Sequence, residues 1–142
     1  MKLFIDANVI VSVLNKEYPM FTISSRILSL ADDDRYQVFT SPICLAIAFY
    51  FAEKKHKIKK VKEKIRILSE HLQVAAATET SVQKALENPK INDFEDGLEY
   101  YAAVENKCAC IITEDVKDFY FSEIDVVTCQ EFYDKYLVQK KR

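Results

Sequence analysis

Glycine occurs once in the 142 residues and proline three times, which leaves little from which a long flexible linker is made. The chain should therefore be regular structure joined by short turns. A single domain over residues 1–142 is expected, with enough apolar residues to bury a core. A large excess of either charge is also missing, since 20 basic and 22 acidic residues give a net charge of −2. That balance excludes a protein that holds nucleic acid by bulk positive charge, but not one with a local basic surface. No apolar run approaches the length of a membrane span, and the N-terminus lacks the charged, apolar, small-residue order of a secretion signal. A cytoplasmic protein without membrane association is expected.

Soft metal-ligand patterns are absent too. Cys44, Cys108, Cys110 and Cys129 form no C-x-x-C pair, have no histidine at ligand spacing, and lie in or beside apolar segments. Reduced, buried thiols that pack as small hydrophobes are the expectation. His56 and His71, the two histidines, sit apart in polar helical contexts and are given no metal or catalytic role.

What the chain does have is alternation. Strand-like runs at Lys2–Ile5, Gln37–Thr40, 72–76, 109–112 and Asp125–Val127 are separated by segments of helical period, which predicts an α/β fold around a parallel sheet. Between the first two strands, Phe21, Ile23, Ile27, Leu28 and Leu30 mark a helix. Ser41-Pro42 starts another, over 43–53, and a further helix is expected over 54–70, with Ile58, Val61, Ile65 and Leu68 on one face. Thr78 caps a helix that Asn88-Pro89 ends, Asp93 caps one running to Asn106-Lys107, and residues 130–138 form the last. The tail at 138–142, with Lys140, Lys141 and Arg142, should fray.

Four carboxylates stand where strands hand over to the next segment. Asp6 ends Leu3-Phe4-Ile5, Asp96 opens the helix in NDFEDGLEYYAAVE, and Asp115 and Asp118 follow Ile111-Ile112. Because strand ends on the carboxyl side of an open parallel sheet converge on one crevice, acids a hundred residues apart can meet there. Such a cluster repels itself unless a cation neutralises it, and hard cations prefer carboxylate oxygens.

The segments FIDANVIVSVL and DFEDGLEYYAAVENKCACIITEDVKDF, in that order and with strand–helix alternation between them, resemble the PIN-domain ribonucleases over essentially the whole chain. The resemblance implies a three-layer α/β/α fold and cleavage of RNA dependent on Mg²⁺ or Mn²⁺. It also implies homodimerisation and, as in many relatives, the toxin role in a bacterial toxin-antitoxin pair with an antitoxin protein as partner. Carried onto this chain, it makes Asp6, Asp96, Asp115 and Asp118 the catalytic and metal-ligating set. Asn8 is then an orienting group and Thr113 a hydrogen-bond donor to Asp6. Two departures are visible. Glu114 replaces a common arginine, and the helix after Ser41-Pro42 lacks the usual glutamate, with Ala46 at the expected place.

A catalytically weakened module that binds RNA or a protein is therefore the alternative function. A phosphatase of the haloacid-dehalogenase kind would need a second Asp where Asn8 stands. The basic run over 54–66 reads either as a solvated helix face or as a footprint for RNA phosphates. The aromatic clusters at 49–51, 100–101 and 119–121 read as core or subunit contacts.

Overall fold

In a computed structural model, residues 1–138 are described; Lys140, Lys141 and Arg142, and with them most of the expected tail, lie outside the described residues. The elements in chain order are β1 (Lys2–Ile5), α1 (Ala7–Leu14), α2 (Met20–Leu28), β2 (Gln37–Thr40), α3 (Pro42–Tyr50), α4 (Val61–His71), β3 (Gln73–Val74), α5 (Glu79–Glu87), α6 (Phe94–Glu105), β4 (Cys110–Ile112), β5 (Asp125–Val127) and α7 (Cys129–Phe132). Short 3-10 turns lie at Ser29–Asp32 and Val116–Phe119, and wide π turns extend α3 over Phe51–Lys55 and α7 over Tyr133–Val138.

All strand pairs are parallel and the sheet order is β3-β2-β1-β4-β5. β1 and β4 are apolar on both faces because helices cover both, the usual reason a parallel strand reads as an unbroken hydrophobic run. Leu3, Ile5, Cys110 and Ile112 pack into one cluster with Val9, Ile10, Ile27, Val61 and Phe132. Phe4 and Ile111 face the other way, onto Tyr100, Ala103, Phe119 and Phe121. That gives helix, sheet and helix as three layers. β1 leads to β2 on one side while β4 joins it on the other, so the strand order reverses between β1 and β4, the place where an open sheet leaves a crevice at its carboxyl edge.

The sole glycine is not in a turn. Gly97 lies in α6, where a Cβ would come within 3.0 Å of Ile91 Cγ2 and 3.1 Å of Ala85 Cβ, so its missing side chain lets α5 and α6 approach. Positions that need a left-handed backbone are filled by lysine instead: Lys16, Lys57, Lys60 and Lys107 have φ between 50° and 58°. Lys107 ends α6 by donating its N–H to Val104 O while Cys108 N–H donates to Ala103 O, a Schellman pair usually built on glycine.

Three sequence expectations need correction. Residues 7–14, rich in β-branched side chains and given no element, form α1, because the Asp6 carboxylate caps its first turn and its apolar face meets the sheet. The helix expected over 54–70 begins only at Val61. Between Lys55 and Val61 the chain turns through left-handed Lys57 and Lys60, and Ile58 N–H donates to Ala52 O, folding Ile58 against the core. A run of lysines repels itself along a continuous helix, and the turn relieves this. The third strand is shorter than 72–76, because Leu72 is the C-cap of α4 and only Gln73 and Val74 pair in the ladder.

Gly97→Val should lower stability by about 1–3 kcal/mol through overpacking of the α5–α6 contact. Chemical denaturation measures it, and a neutral result would mean that this contact yields freely.

Candidate functional site

Asp6 leaves β1 directly into α1. Its N–H continues the ladder to Ile112 O at 3.0 Å, and its side chain, only 8% exposed, accepts from Ala7 N–H through Oδ1 at 2.6 Å. Thr113, the first residue past β4, donates its hydroxyl to Asp6 Oδ2 at 2.8 Å, the contact expected of it. The same Thr113 oxygen accepts from Asn8 Nδ2 at 3.0 Å and from Asp115 N–H at 3.0 Å. Asn8 also donates to Asp115 Oδ2 at 3.1 Å and accepts from Glu114 N–H at 3.2 Å, which ties the loop after β4 to the first turn of α1. This network fixes the rotamer of Asp6 and the path of Asp115.

The opposite wall is the N-terminal half of α6. Asp93 is the N-cap, its Oδ1 accepting from the N–H groups of Glu95 and Asp96 at 2.9 and 3.3 Å, as its place in the sequence implies. Glu95, Asp96 and Glu99 lie on neighbouring positions of one helix face and turn toward Asp6. Asp118 comes from the 3-10 turn. Asp6, Asp96, Asp115 and Asp118 thus line one crevice of about 400 Å³, as does Asn8, while Thr113 is buried behind it.

Eight acids line this crevice: the four expected, plus Glu17, Glu95, Glu99 and Glu114. No Lys, Arg or His lines it among the described residues, and none of the eight appears in an ion pair. Burial and then the neighbouring Asp93, Asp118, Asp6 and Glu95 push the Asp96 carboxyl up to about 7. Burial above all, then the charge of Asp6 and a hydrogen bond with it, pushes Glu99 up to about 11. Cys44 lies 3.9 Å from Asp6 Oδ1, and its thiol is raised by burial, Glu99 and Asp6, so it keeps its proton. The donors are therefore carboxylate oxygens, a set that suits Mg²⁺ or Mn²⁺.

Glu99 was not among the residues singled out from the sequence. It is 2% exposed, and its oxygens lie within 4.8 Å of Asp6 and Cys44 on one side and of Glu95 and Asp96 on the other. Its spacing was the available signal: three residues after Asp96 and four after Glu95, it had to share their helix face. Glu114 has a local role as well, accepting from Cys129 N–H at 3.2 Å at the start of α7.

The expected register of α3 is one residue off. Ala46 is exposed, whereas Ile47 lines the crevice and Cys44, one turn earlier, faces Asp6. Helical spacing requires this: positions 44 and 47 share a face and 46 does not. The apolar wall opposite the acids is made by Val11, Met20, Ile47 and Phe51.

A family model described as a PIN domain matches residues 2–117, and the chain belongs to the PIN-domain family. Ribonuclease VapC1 of Aquifex aeolicus strain VF5 is 27% identical over 142 residues, covering 95% of both chains. Among solved structures, VapBC2 from Rickettsia felis, bound to a promoter DNA fragment, has a TM-score of 0.67 at 19% identity, over 89% of this chain and 97% of that one. Mycobacterium tuberculosis VapC20, a sarcin-ricin loop cleaving toxin, has a TM-score of 0.64 at 14% identity, over 87% of this chain and 98% of its own. At those identities the two structures establish the fold alone.

Ile47→Glu should add an oxygen ligand and tighten Mn²⁺ binding about tenfold, roughly 1.4 kcal/mol, while Ala46→Glu should leave it unchanged. Titration calorimetry of both folded variants decides; equal effects would put the α3 face elsewhere.

Proposed function

We propose that this protein is a metal-dependent endoribonuclease that hydrolyses RNA phosphodiester bonds and acts as the toxin of a toxin-antitoxin pair, with Asp6, Asp96, Asp115 and Asp118 as its catalytic and metal-ligating acids. The observation that carries the reading is the crevice at the β1–β4 switch whose charged lining residues, among those described, are all acids, four of them from distant segments. Support for RNA as substrate comes from VapC1, a ribonuclease by name, and VapC20, a toxin that cleaves the sarcin-ricin loop. VapBC2 is a two-protein complex, which supports an antitoxin partner here. A homodimer is proposed on the same family grounds.

Within this reading, Ala7 N–H and the Thr113 hydroxyl hold the two Asp6 oxygens, leaving their remaining lone pairs for a ligand. Asn8 holds Asp115 in place from the same side, and Asp96 and Asp118 close the pocket from α6 and the 3-10 turn. A divalent cation supplies a nucleophilic water at neutral pH and stabilises charge growing on the phosphate. Phe51 gives the pocket part of its apolar wall, and the Lys55 ammonium lies 5.1 Å from the centroid of its ring. Just beyond it, Lys54, Lys55, Lys57, Lys59 and Lys60 are all exposed and offer a path for the nucleic-acid backbone. Binding should then weaken steeply with salt.

Ile47 favours the second reading, a catalytically weakened module that binds RNA or a protein partner, because the α3 wall contributes no carboxylate. One assay separates the two. Purified protein on mixed RNA, with a Mn²⁺ series and an EDTA control, should cleave only with metal. Asp6→Asn should abolish detectable cleavage, and Thr113→Val should lower metal affinity or rate roughly 10- to 100-fold by freeing the Asp6 carboxylate. Metal-independent cleavage, or full activity in Asp6→Asn, would refute the site; no cleavage at any Mn²⁺ concentration would select the module.

A further inference from the structure

Glu99 is the one carboxylate in the crevice that belongs to both potential ligand groups. Its oxygens lie within 4.8 Å of Asp6 and Cys44, and also within that range of Glu95 and Asp96. It is 2% exposed, and its Oε2 is a buried oxygen with no hydrogen-bond partner among the described residues. Buried carboxyl oxygens are normally satisfied, and among the described residues the partner of the Glu99 carboxyl is the equally acidic Asp6, so its unbonded Oε2 marks a position that a cation can complete. The α3 wall facing it presents Ile47, which has no oxygen to give.

We propose that Glu99 is a direct ligand of the divalent cation, linking Asp6 on β1 to Asp96 on α6 and replacing the carboxylate that α3 does not supply. The inference rests on the metal-dependent reading above and makes it specific. α6 then contributes two ligands, Asp96 and Glu99, from adjacent positions on one face, while β1 contributes Asp6. An oxygen spread of this size is one that a hard cation and its shell can span. Under the alternative, in which Glu99 is only a buried hydrogen-bonding partner of Asp6, a glutamine at 99 would serve equally well.

Mn²⁺ titration by calorimetry on wild type, Glu99→Gln and Asp6→Asn, with melting curves in EDTA and in Mn²⁺, tests this. Glu99→Gln should melt no lower than wild type in EDTA, lose most of the Mn²⁺-induced rise, and bind Mn²⁺ at least about tenfold more weakly, as Asp6→Asn does. A folded Glu99→Gln with wild-type Mn²⁺ affinity beside a weakened Asp6→Asn would overturn the role of Glu99 and leave the site standing. A wild type that binds no Mn²⁺ would overturn both. If Glu99→Gln does not fold, Glu99→Asp takes its place: the shorter arm must weaken Mn²⁺ binding, and unchanged affinity overturns the proposal.

Discussion

Uncompensated negative charge, held in a fixed place, is the constraint around which this molecule is arranged. Two unit charges about 5 Å apart repel by roughly 3 kcal/mol at an effective dielectric near 20. A domain of this size has only about 5–15 kcal/mol of stability to set against such terms. Glu99 sits that close to Asp6 on one side and to Asp96 on the other, and no basic side chain lines the crevice among the described residues. Either protons or a cation must therefore neutralise the crevice, and the raised Asp96 and Glu99 carboxyls are the proton-loaded form of that requirement.

The scaffold can impose this because both sheet faces are covered and the strands carrying the acids cannot shift. Phe4, Ile5, Ile111 and Ile112 are fully buried immediately behind the crevice. Truncating a residue such as Phe4 to alanine removes about 3–5 kcal/mol. The Thr113–Asn8–Asp115 network then ties the ends of β1 and β4 together, from the buried Thr113 hydroxyl out to the exposed Asp115. α6 is set by its own packing, because Gly97 lets it lie against α5 and so determines how far Glu95, Asp96 and Glu99 reach.

Much of this was legible in the sequence where one local signal dominates. β1, β2 and β5 have the expected bounds because short apolar runs end in sharp polar breaks. The caps at Thr78 and Asp93 are visible because their chemistry is local. α1 was not legible, since Val9, Ile10, Val11 and Val13 read equally well as a strand and only the packing of their apolar face on the sheet selects a helix. The turn at Lys57 and Lys60 was hidden because left-handed positions were taken by lysine, not glycine. For the site, Asp6, Asp115 and Asp118 were marked by following strands, whereas Asp96, separated from β3 by α5, was marked by the resemblance of its helix to the family motif. Glu99 was missed because a glutamate in mid-helix resembles any solvated acid until its burial is known. Ala46 was named, and not Ile47, because one residue of register in a uniformly apolar helix leaves no trace in the sequence.

The most direct test of the charge argument is anomalous diffraction from crystals grown with Mn²⁺. A peak is expected in the crevice bounded by Asp6, Asp96 and Glu99, with the Glu99 carboxylate in contact with it. A crevice without a peak at saturating Mn²⁺, its acids paired by shared protons alone, would contradict it.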